Sequence, residues 1–152
     1  MANQKFTFCT IICFFTFTLK IPLCKQLTLT NMSNAINWFE LPANNFERAV
    51  EFYSKVFNAE FSVGDMMGTK LAFFPYQQPG VGGCITHGNG NKPNPEGAVV
   101  YLNGGDDLNV PLGRVEAAGG KVVVPKTSIG ENGFMAFIMD TEGNRVAFHS
   151  MK

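Results

Sequence analysis

Apolar residues recur with a helical period in one clear stretch of the chain. They are spaced as i, i+3, i+4, i+7, i+10 and i+11, which places them on one face of an α-helix; they are Phe46, Ala49, Val50, Tyr53, Val56 and Phe57. Asn44 or Asn45 is suited to cap this helix, and Asn58 is suited to end it. The pattern therefore predicts an amphipathic helix over residues 46–57.

Short β-prone runs bounded by Gly, Pro or Asp surround this helix, which is how strands look in a sequence. The first half of the chain contains four such runs, at residues 36–41, 60–63, 70–74 and 83–86. Residues 88–97 are mostly Gly, Asn and Pro, a composition typical of a linker.

The second half repeats the same order of elements. Residues 98–102 read as a strand, and Asp106 and Asp107 stand where a helix cap is needed. A shorter helix is outlined by Leu108, Leu112, Val115 and Ala118, with Pro111 tolerated in its first turn. Strands are then predicted at residues 121–124, 133–139 and 145–149, with a turn at residues 140–144.

This repetition predicts an α+β fold of two tandem βαβββ modules. Module 1 would span residues 34–87 and module 2 residues 98–152, giving a folded region of 33–152. A sheet covered by a helix on one face must still bury or use its other face. Two such modules placed edge to edge would form a curved mixed sheet around a cup.

Residues 1–31 differ in composition from the rest. An aromatic and threonine-rich run at 6–19 resembles the apolar part of a secretory signal, but no clear cleavage site follows it. The alternative is an upstream extension, with translation starting at Met32. The protein would be cytoplasmic in that case, and exported or membrane-anchored if the segment is a genuine signal. Three of the four cysteines lie in this segment, which leaves Cys84 without an intramolecular disulfide partner in the folded region.

Charge argues against nucleic acid as a partner. Residues 1–31 hold three lysines and no acidic residue, so nine basic and twelve acidic residues remain from Met32 onward. A mildly acidic chain without a basic stripe lacks the electrostatic footprint of a nucleic-acid-binding protein.

Three motifs, in this order and spacing, resemble the vicinal oxygen chelate superfamily, which includes glyoxalase I, bleomycin resistance proteins and extradiol dioxygenases. They are Glu47-Arg48-Ala49 followed by Phe52-Tyr53, the segment 114–120, and the segment 140–144. The resemblance covers residues 34–152. It implies the paired βαβββ fold, a pocket on the inner faces of the sheets and, commonly, a homodimer.

Enzymes of that superfamily hold a divalent metal through His, Gln or Glu side chains on the first and last strands of each module. At three matching positions this chain has Trp38, Val99 and Ala147, and no carboxylate occurs near the fourth, at residues 83–86. These side chains supply no ligand for a divalent metal, so no metal or other cofactor is predicted. A misplaced register, or a metal held by Glu40, His87 and His149, remains the alternative.

Residues two apart in a strand share a face, which extends the implied pocket beyond those positions. The candidate ligand-binding residues are Trp38, Glu40, Tyr101, Asn103, Arg145 and His149. An aromatic wall with a few convergent polar groups is typical of a small-molecule pocket. Each also has a structural interpretation: the aromatic residues as core, Glu40 and Arg145 as a structural or solvated pair, Asn103 as a turn cap and His149 as a structural histidine.

Two functions are consistent with this set. One is a metal-free protein that binds a small organic molecule in the cup. The other is an enzyme of this superfamily, a lyase, isomerase or dioxygenase. It would be metal-dependent through unrecognised ligands, or metal-free with His149 and Glu40 as acid and base.

Overall fold

The computed structural model describes residues 34–152. In chain order the elements are β1 (Trp38–Pro42), α1 (Phe46–Phe57), β2 (Ser62–Met66), β3 (Thr69–Phe73), β4 (Gly82–His87), β5 (Tyr101–Asn103), α2 (Asn109–Leu112), β6 (Lys121–Ser128), a 3-10 turn (Gly130–Asn132), β7 (Phe134–Met139) and β8 (Arg145–Ser150). The predictions for residues 1–31, including their cysteines, lie outside the described residues. Across residues 34–152, none of the helices has both the length and the apolarity needed to cross a membrane.

The strands form two four-stranded sheets of the same topology. Sheet A has the order β1-β4-β3-β2, and sheet B has the order β5-β8-β7-β6. In each sheet the first and last strands of the module are parallel neighbours, and the remaining pairs are antiparallel. This confirms the predicted α+β fold with two strand-helix-strand modules in tandem.

Helix α1 has the bounds and the caps that its sequence predicts. Asn45 is the N-cap, and its side chain accepts a hydrogen bond of 3.0 Å from the backbone N–H of Arg48. Asn58 ends the helix in the left-handed conformation, with φ of 50°. Its apolar face is buried in a core shared with both sheets.

The second helix is much shorter than predicted. The segment from Leu108 to Ala118 contains only the single turn α2, followed by irregular turns up to Gly119. Pro111 has no N–H to donate, and Gly113 weakens helix propagation. Beyond α2 the backbone hydrogen bonds are a mixture of three-, four- and five-residue spacings. The N-cap is Leu108, which offers no side-chain hydrogen bond, so neither predicted aspartate is the cap; Asp107, one residue earlier, accepts from the N–H of Asn109 at 3.0 Å.

Two strands of module 2 also differ from prediction. Strand β5 begins at Tyr101 rather than at residue 98, because its ladder with β8 contains only three residue pairs. Val99, expected on a strand, therefore lies just before β5. Strand β6 continues to Ser128 instead of ending at residue 124. Its pairing with β7 has two register shifts, and the second, between Val124 and Thr127, accommodates Pro125.

Candidate functional site

The strand register places all six predicted ligand-binding residues on the sheet faces that point away from the shared core. Core residues such as Leu41 in β1 and Leu102 in β5 alternate with them along the same strands. We call these two surfaces the outer faces of sheets A and B. The six residues share a face within each sheet, as the alternation predicts, but the two faces point away from the shared core and do not enclose a cup between the two sheets of one chain.

An aromatic group lies on the outer face of sheet A around Trp38. The indole packs against Phe73 and Tyr76, with centroid distances of 6.1 Å to each. Gly82 stands opposite Trp38 in the ladder, and a Cβ on Gly82 would lie only 2.6 Å from the indole and 2.7 Å from the Tyr76 ring. The absence of a side chain at Gly82 is therefore what lets these two rings meet. Trp38 keeps 38% of its surface exposed.

Glu40 lies one row further along the same outer face. Its carboxylate accepts a hydrogen bond of 3.2 Å from the side-chain amide of Asn89, which also donates to the hydroxyl of Thr86 at 3.3 Å. Cys84 is the ladder partner of Glu40 and is buried. Burial raises the pKa of the Cys84 thiol, and the Glu40 carboxylate raises it further. The thiol is therefore a poor nucleophile.

A second aromatic group lies on the outer face of sheet B. Tyr101 packs edge-on against Phe137 at 5.9 Å, and the Arg145 guanidinium lies 4.5 Å from the centre of the Phe137 ring. This cation–π contact holds the Arg145 guanidinium over the Phe137 ring. Tyr101 is 52% exposed, so its ring is available to a ligand.

Asn103 and His149 form one row of the same face but bond mainly to backbone. The Asn103 side-chain carbonyl accepts from the N–H of Gly105 at 2.9 Å, which makes it a turn cap. His149 Nε2 lies 2.7 Å from the carbonyl oxygen of Asn132, and a carbonyl can only accept, so this nitrogen carries the proton. Their structural interpretations are thus supported by geometry.

The six residues form two groups, one on each sheet. Between residues 34 and 152, no hydrogen bond, ion pair or ring contact joins Trp38 and Glu40 to the group on sheet B. Glu40 and His149 therefore do not form a contacting acid–base pair within the chain.

The described residues do not fit a divalent metal of the family type. Trp38 faces Gly82 across the first and last strands of module 1, and Tyr101 faces Ala147 in module 2. The register thus places Tyr101, rather than Val99, opposite Ala147. The alternative set is also dispersed, because His87 Nδ1 lies 2.8 Å from the Ala43 carbonyl and alternates with the outer-face residues of β4. Within the described part of the chain, no three His, Cys, Asp or Glu side chains are grouped as metal ligands.

Sequence reasoning missed Asn89, Tyr76 and Phe137 as neighbours of the candidate residues. Phe137 was accessible to the same alternation argument, since it lies in a predicted strand and pairs with Ala147. Tyr76 and Asn89 lie in connecting segments, where no periodicity indicates which way a side chain points.

A cavity of about 270 Å³ opens at the start of β1 and β4, beside Trp38. It is lined by Asn34, Ile36, Asn37, Tyr76, residues 78–81 and Gly82. None of the six predicted residues lines it, although Tyr76 and Gly82 are direct neighbours of Trp38.

A family model described as the Glyoxalase/Bleomycin resistance protein/Dioxygenase superfamily matches residues 35–148. The chain belongs to this superfamily. The match covers both modules and every strand through Phe148 of β8, so the resemblance drawn from the three motifs is confirmed. No curated protein sequence matches the chain.

Solved structures of the superfamily share the fold at low sequence identity. A mutant of glyoxalase I from Zea mays is 20% identical with a TM-score of 0.60, and the match covers 75% of this chain but only 45% of that enzyme. A glyoxalase/bleomycin resistance protein from Streptomyces sp. CB03234 is 17% identical with a TM-score of 0.59, covering 74% of this chain and 97% of the other. An antibiotic binding protein from the same organism is 17% identical with a TM-score of 0.55, covering 77% and 95%. The chain therefore spans less than half of the maize enzyme.

Proposed function

We propose that this superfamily member binds a small organic molecule on its aromatic outer faces without a metal of the family type. The observation that carries the proposal is the pair of rows Trp38–Gly82 and Tyr101–Ala147. At the positions where the superfamily's enzymes hold metal, these rows offer two aromatic side chains beside two small residues. Such rows provide stacking area and space, but no metal ligands.

The polar groups near these rings favour an aromatic or amphipathic ligand. Arg145 and Glu40 supply opposite charges, one on each sheet, and both are exposed. Trp38 and Tyr101 each keep a large exposed ring surface. That a structural relative is described as an antibiotic binding protein is consistent with this use of the fold.

We extend the proposal to a homodimer, because each outer face is open within one chain. Apposing sheet A of one copy with sheet B of another would bring Glu40 near Arg145 and would cover both aromatic groups. A two-fold axis would repeat this contact, giving two equivalent pockets. Sedimentation should then show a dimer, and a monomer at micromolar concentration would rule this arrangement out.

Among residues 34–152, no contact supports the enzyme alternative. His149 Nε2 bonds to a backbone carbonyl in module 2, and Glu40, on sheet A, bonds to Asn89 in the segment after β4. An acid–base role for this pair would require the second copy of the chain to bring the two groups together.

The first experiment measures metal content and ligand binding on the same sample. The protein is incubated with zinc, nickel, iron or manganese and desalted, and its metal is then quantified; we expect far less than one equivalent. The aromatic anion 8-anilinonaphthalene-1-sulfonate is then titrated while the fluorescence of Trp38, the single tryptophan, is followed. Saturable quenching with energy transfer to the probe is expected.

Two variants test whether the outer face is the binding surface. Tyr101→Ala should weaken probe binding roughly three- to tenfold, since aromatic contacts are worth about 0.5–1.5 kcal/mol. Val110→Ala, on the exposed side of α2, should leave it unchanged. Stoichiometric metal would overturn the metal-free proposal. Equal probe binding by both variants would mean that the probe does not bind at Tyr101.

A further inference from the structure

Three Asn-Gly dipeptides occur between residues 89 and 133, at Asn89-Gly90, Asn103-Gly104 and Asn132-Gly133. In such a dipeptide the backbone nitrogen of the glycine can attack the side-chain amide carbon of the asparagine. The lack of a glycine side chain leaves that approach unhindered. The reaction is chemical and needs no enzyme, so the local structure decides which of the three dipeptides reacts.

The asparagine side chain is arranged alike in two of the three. The carbonyl oxygen of the Asn89 side chain accepts from the N–H of Asn91 at 3.1 Å, and that of Asn103 accepts from Gly105 at 2.9 Å. Each bond folds the side chain over the following peptide as an Asx turn and polarises its carbonyl. The electrophile is therefore similarly presented at Asn89 and Asn103.

The attacking nitrogen differs between them. The N–H of Gly104 donates to the His149 carbonyl at 2.7 Å, and the N–H of Gly133 donates to the Gly130 carbonyl at 3.1 Å. Each of these nitrogens must break a hydrogen bond before it can lose its proton and attack. In the described region, residues 34–152, no backbone or side-chain acceptor receives the N–H of Gly90.

The space around the three glycines also favours reaction at Asn89. Gly104 and Gly133 are buried, and a Cβ on either would lie within about 3 Å of backbone atoms. Gly90 is exposed, and a Cβ added to it would meet no atom within 4 Å. Gly90 has a φ of +83° and lies after the end of β4, in no strand. The peptide at Gly90 is thus free to rotate into the attacking geometry.

We propose that Asn89 is a deamidation site of the folded protein. The Gly90 nitrogen loses its proton to base and bonds to the Asn89 Cγ; the C–N bond of the side-chain amide then breaks, and the leaving nitrogen takes a proton back from the conjugate acid of the base and departs as ammonia. The product is a cyclic succinimide. Water then adds to either carbonyl of the ring, giving aspartate or isoaspartate with no change of oxidation state.

The modification would act directly on the outer face of sheet A. The Asn89 amide donates to Glu40 and to Thr86, and a carboxylate in its place can donate to neither. Two carboxylates would then lie side by side, so the segment after β4 should move away from β1. Deamidation at Asn89 thus releases Glu40 and adds negative charge to the face that carries Trp38.

The experiment incubates the full folded chain at mildly alkaline pH and follows the three dipeptides by peptide mapping with mass spectrometry in ¹⁸O-labelled water. Conversion at Asn89 is expected to be roughly tenfold or more faster than at Asn103 and Asn132, the factor for breaking one hydrogen bond. In guanidinium chloride the three rates should become similar, because the local structure that separates them is lost.

Asn89→Gln is the matched control, since it keeps both amide donors but must close a larger ring. This variant should keep its mass at position 89 under the same conditions. Equal rates at the three dipeptides in the folded chain would overturn the proposal, as would an Asn89 that stays intact while Asn103 converts. Asn89→Asp should show faster hydrogen exchange around residues 89–91 than Asn89→Gln. Equal exchange rates in the two variants would contradict the proposal that deamidation releases Glu40 and loosens the segment after β4.

Discussion

The two modules share one strand order but contribute unequally to the core. Helix α1 of module 1 has twelve residues, well-defined caps and five buried side chains, whereas α2 of module 2 has four residues and buries Pro111 alone. The rings of α1 also reach beyond their own sheet, since Phe57 packs against Phe148 of β8 at 5.4 Å. One long helix therefore serves two sheets, so the modules depend on each other.

Module 2 in turn completes the polar contacts of that helix. Glu142, in the turn between β7 and β8, accepts from the N–H groups of Asn44 and Asn45 at 2.9 and 2.8 Å and from Arg48 Nε at 2.7 Å. A carboxylate at a helix N-terminus is favourable for both hydrogen bonding and the helix dipole.

Asp140 in the same turn makes a second link between the modules. It accepts from the hydroxyl of Tyr53, a buried residue of α1, at 2.8 Å. Burial, followed by the Asp140 carboxylate, raises the pKa of Tyr53 well above its ordinary value. Tyr53 therefore stays neutral and acts as a donor.

Phe52→Ala should have the largest effect, because it tests the claim that α1 supports both modules. The Phe52 ring packs so closely against module 2 that a Cβ on Gly120 would lie 2.6 Å from it. Removing a buried ring costs about 3–5 kcal/mol of unfolding free energy. Val110→Ala on α2 is the matched control, and it should cost less than about 0.5 kcal/mol since Val110 is exposed. Urea unfolding measures both, and similar losses would contradict the unequal roles of the helices.

Glu142→Gln should have the next largest effect. The amide keeps the shape of the side chain but loses charge and one acceptor, so about 1–3 kcal/mol of unfolding free energy should be lost. Glu51→Gln is the control within α1, where Glu51 pairs with Lys55 on the exposed face. Exposed helix pairs of this kind contribute about 0.3–0.5 kcal/mol in general. If both variants lose equally little, Glu142 is not a link between the modules.

The pH dependence of stability provides an independent test of the same carboxylate. Burial alone would raise the pKa of Glu142, but hydrogen bonds from Arg48, Asn45 and Asn44 together lower it below the ordinary value of 4.5. A lowered folded-state pKa means that this stability is present above pH 4.5 and is lost as the pH falls through the folded-state value. The unfolding free energy of the wild type should therefore fall more steeply than that of Glu142→Gln below pH 4.5. Parallel curves would contradict the lowered pKa.

Local signals in the sequence were sufficient for the elements but not for the links between them. Helix α1 could be predicted with correct bounds because its period and both caps lie within one short stretch, residues 44–58. The contact of Glu142 with Asn44 joins positions 98 apart, and no periodicity records it. The turn at residues 140–144 was correctly predicted as a turn. Its hydrogen bonds to α1 and to the residues before it became visible only in the three-dimensional structure.

The errors in module 2 have the same origin. Residues 98–100 are as β-prone as a strand, but the residue pairs with β8 begin at Tyr101 and Ala147, where the Ala147 N–H donates to the Val100 carbonyl at 3.0 Å. For the candidate site, alternation predicted which residues share a face within each sheet, but not that this face points away from the core that the two sheets share. It could not reveal that the polar atoms of His149 and Asn103 bond to backbone groups.

The smallest expected change in unfolding free energy concerns the hairpin loops, in which the two modules have different residues at positive φ. Module 2 joins β6 to β7 through a loop with glycine at both positive-φ positions, Gly130 and Gly133. Module 1 joins β2 to β3 through Met67 and Gly68, and Met67 has a φ of 54° while being fully exposed. A methionine is poorly suited to this conformation, whereas asparagine is favoured in such two-residue turns. Met67→Asn should therefore raise the unfolding free energy by about 0.5–1 kcal/mol.

Met66→Asn is the control for this last variant, because Met66 is also exposed but lies in strand β2. Asparagine is disfavoured in strands, so this change should be neutral or destabilising. Thermal unfolding of the two variants then separates the effect of backbone conformation from that of removing an exposed apolar side chain. Equal gains from both would mean that the gain comes from removing an exposed methionine and that the turn at Met67 carries no strain.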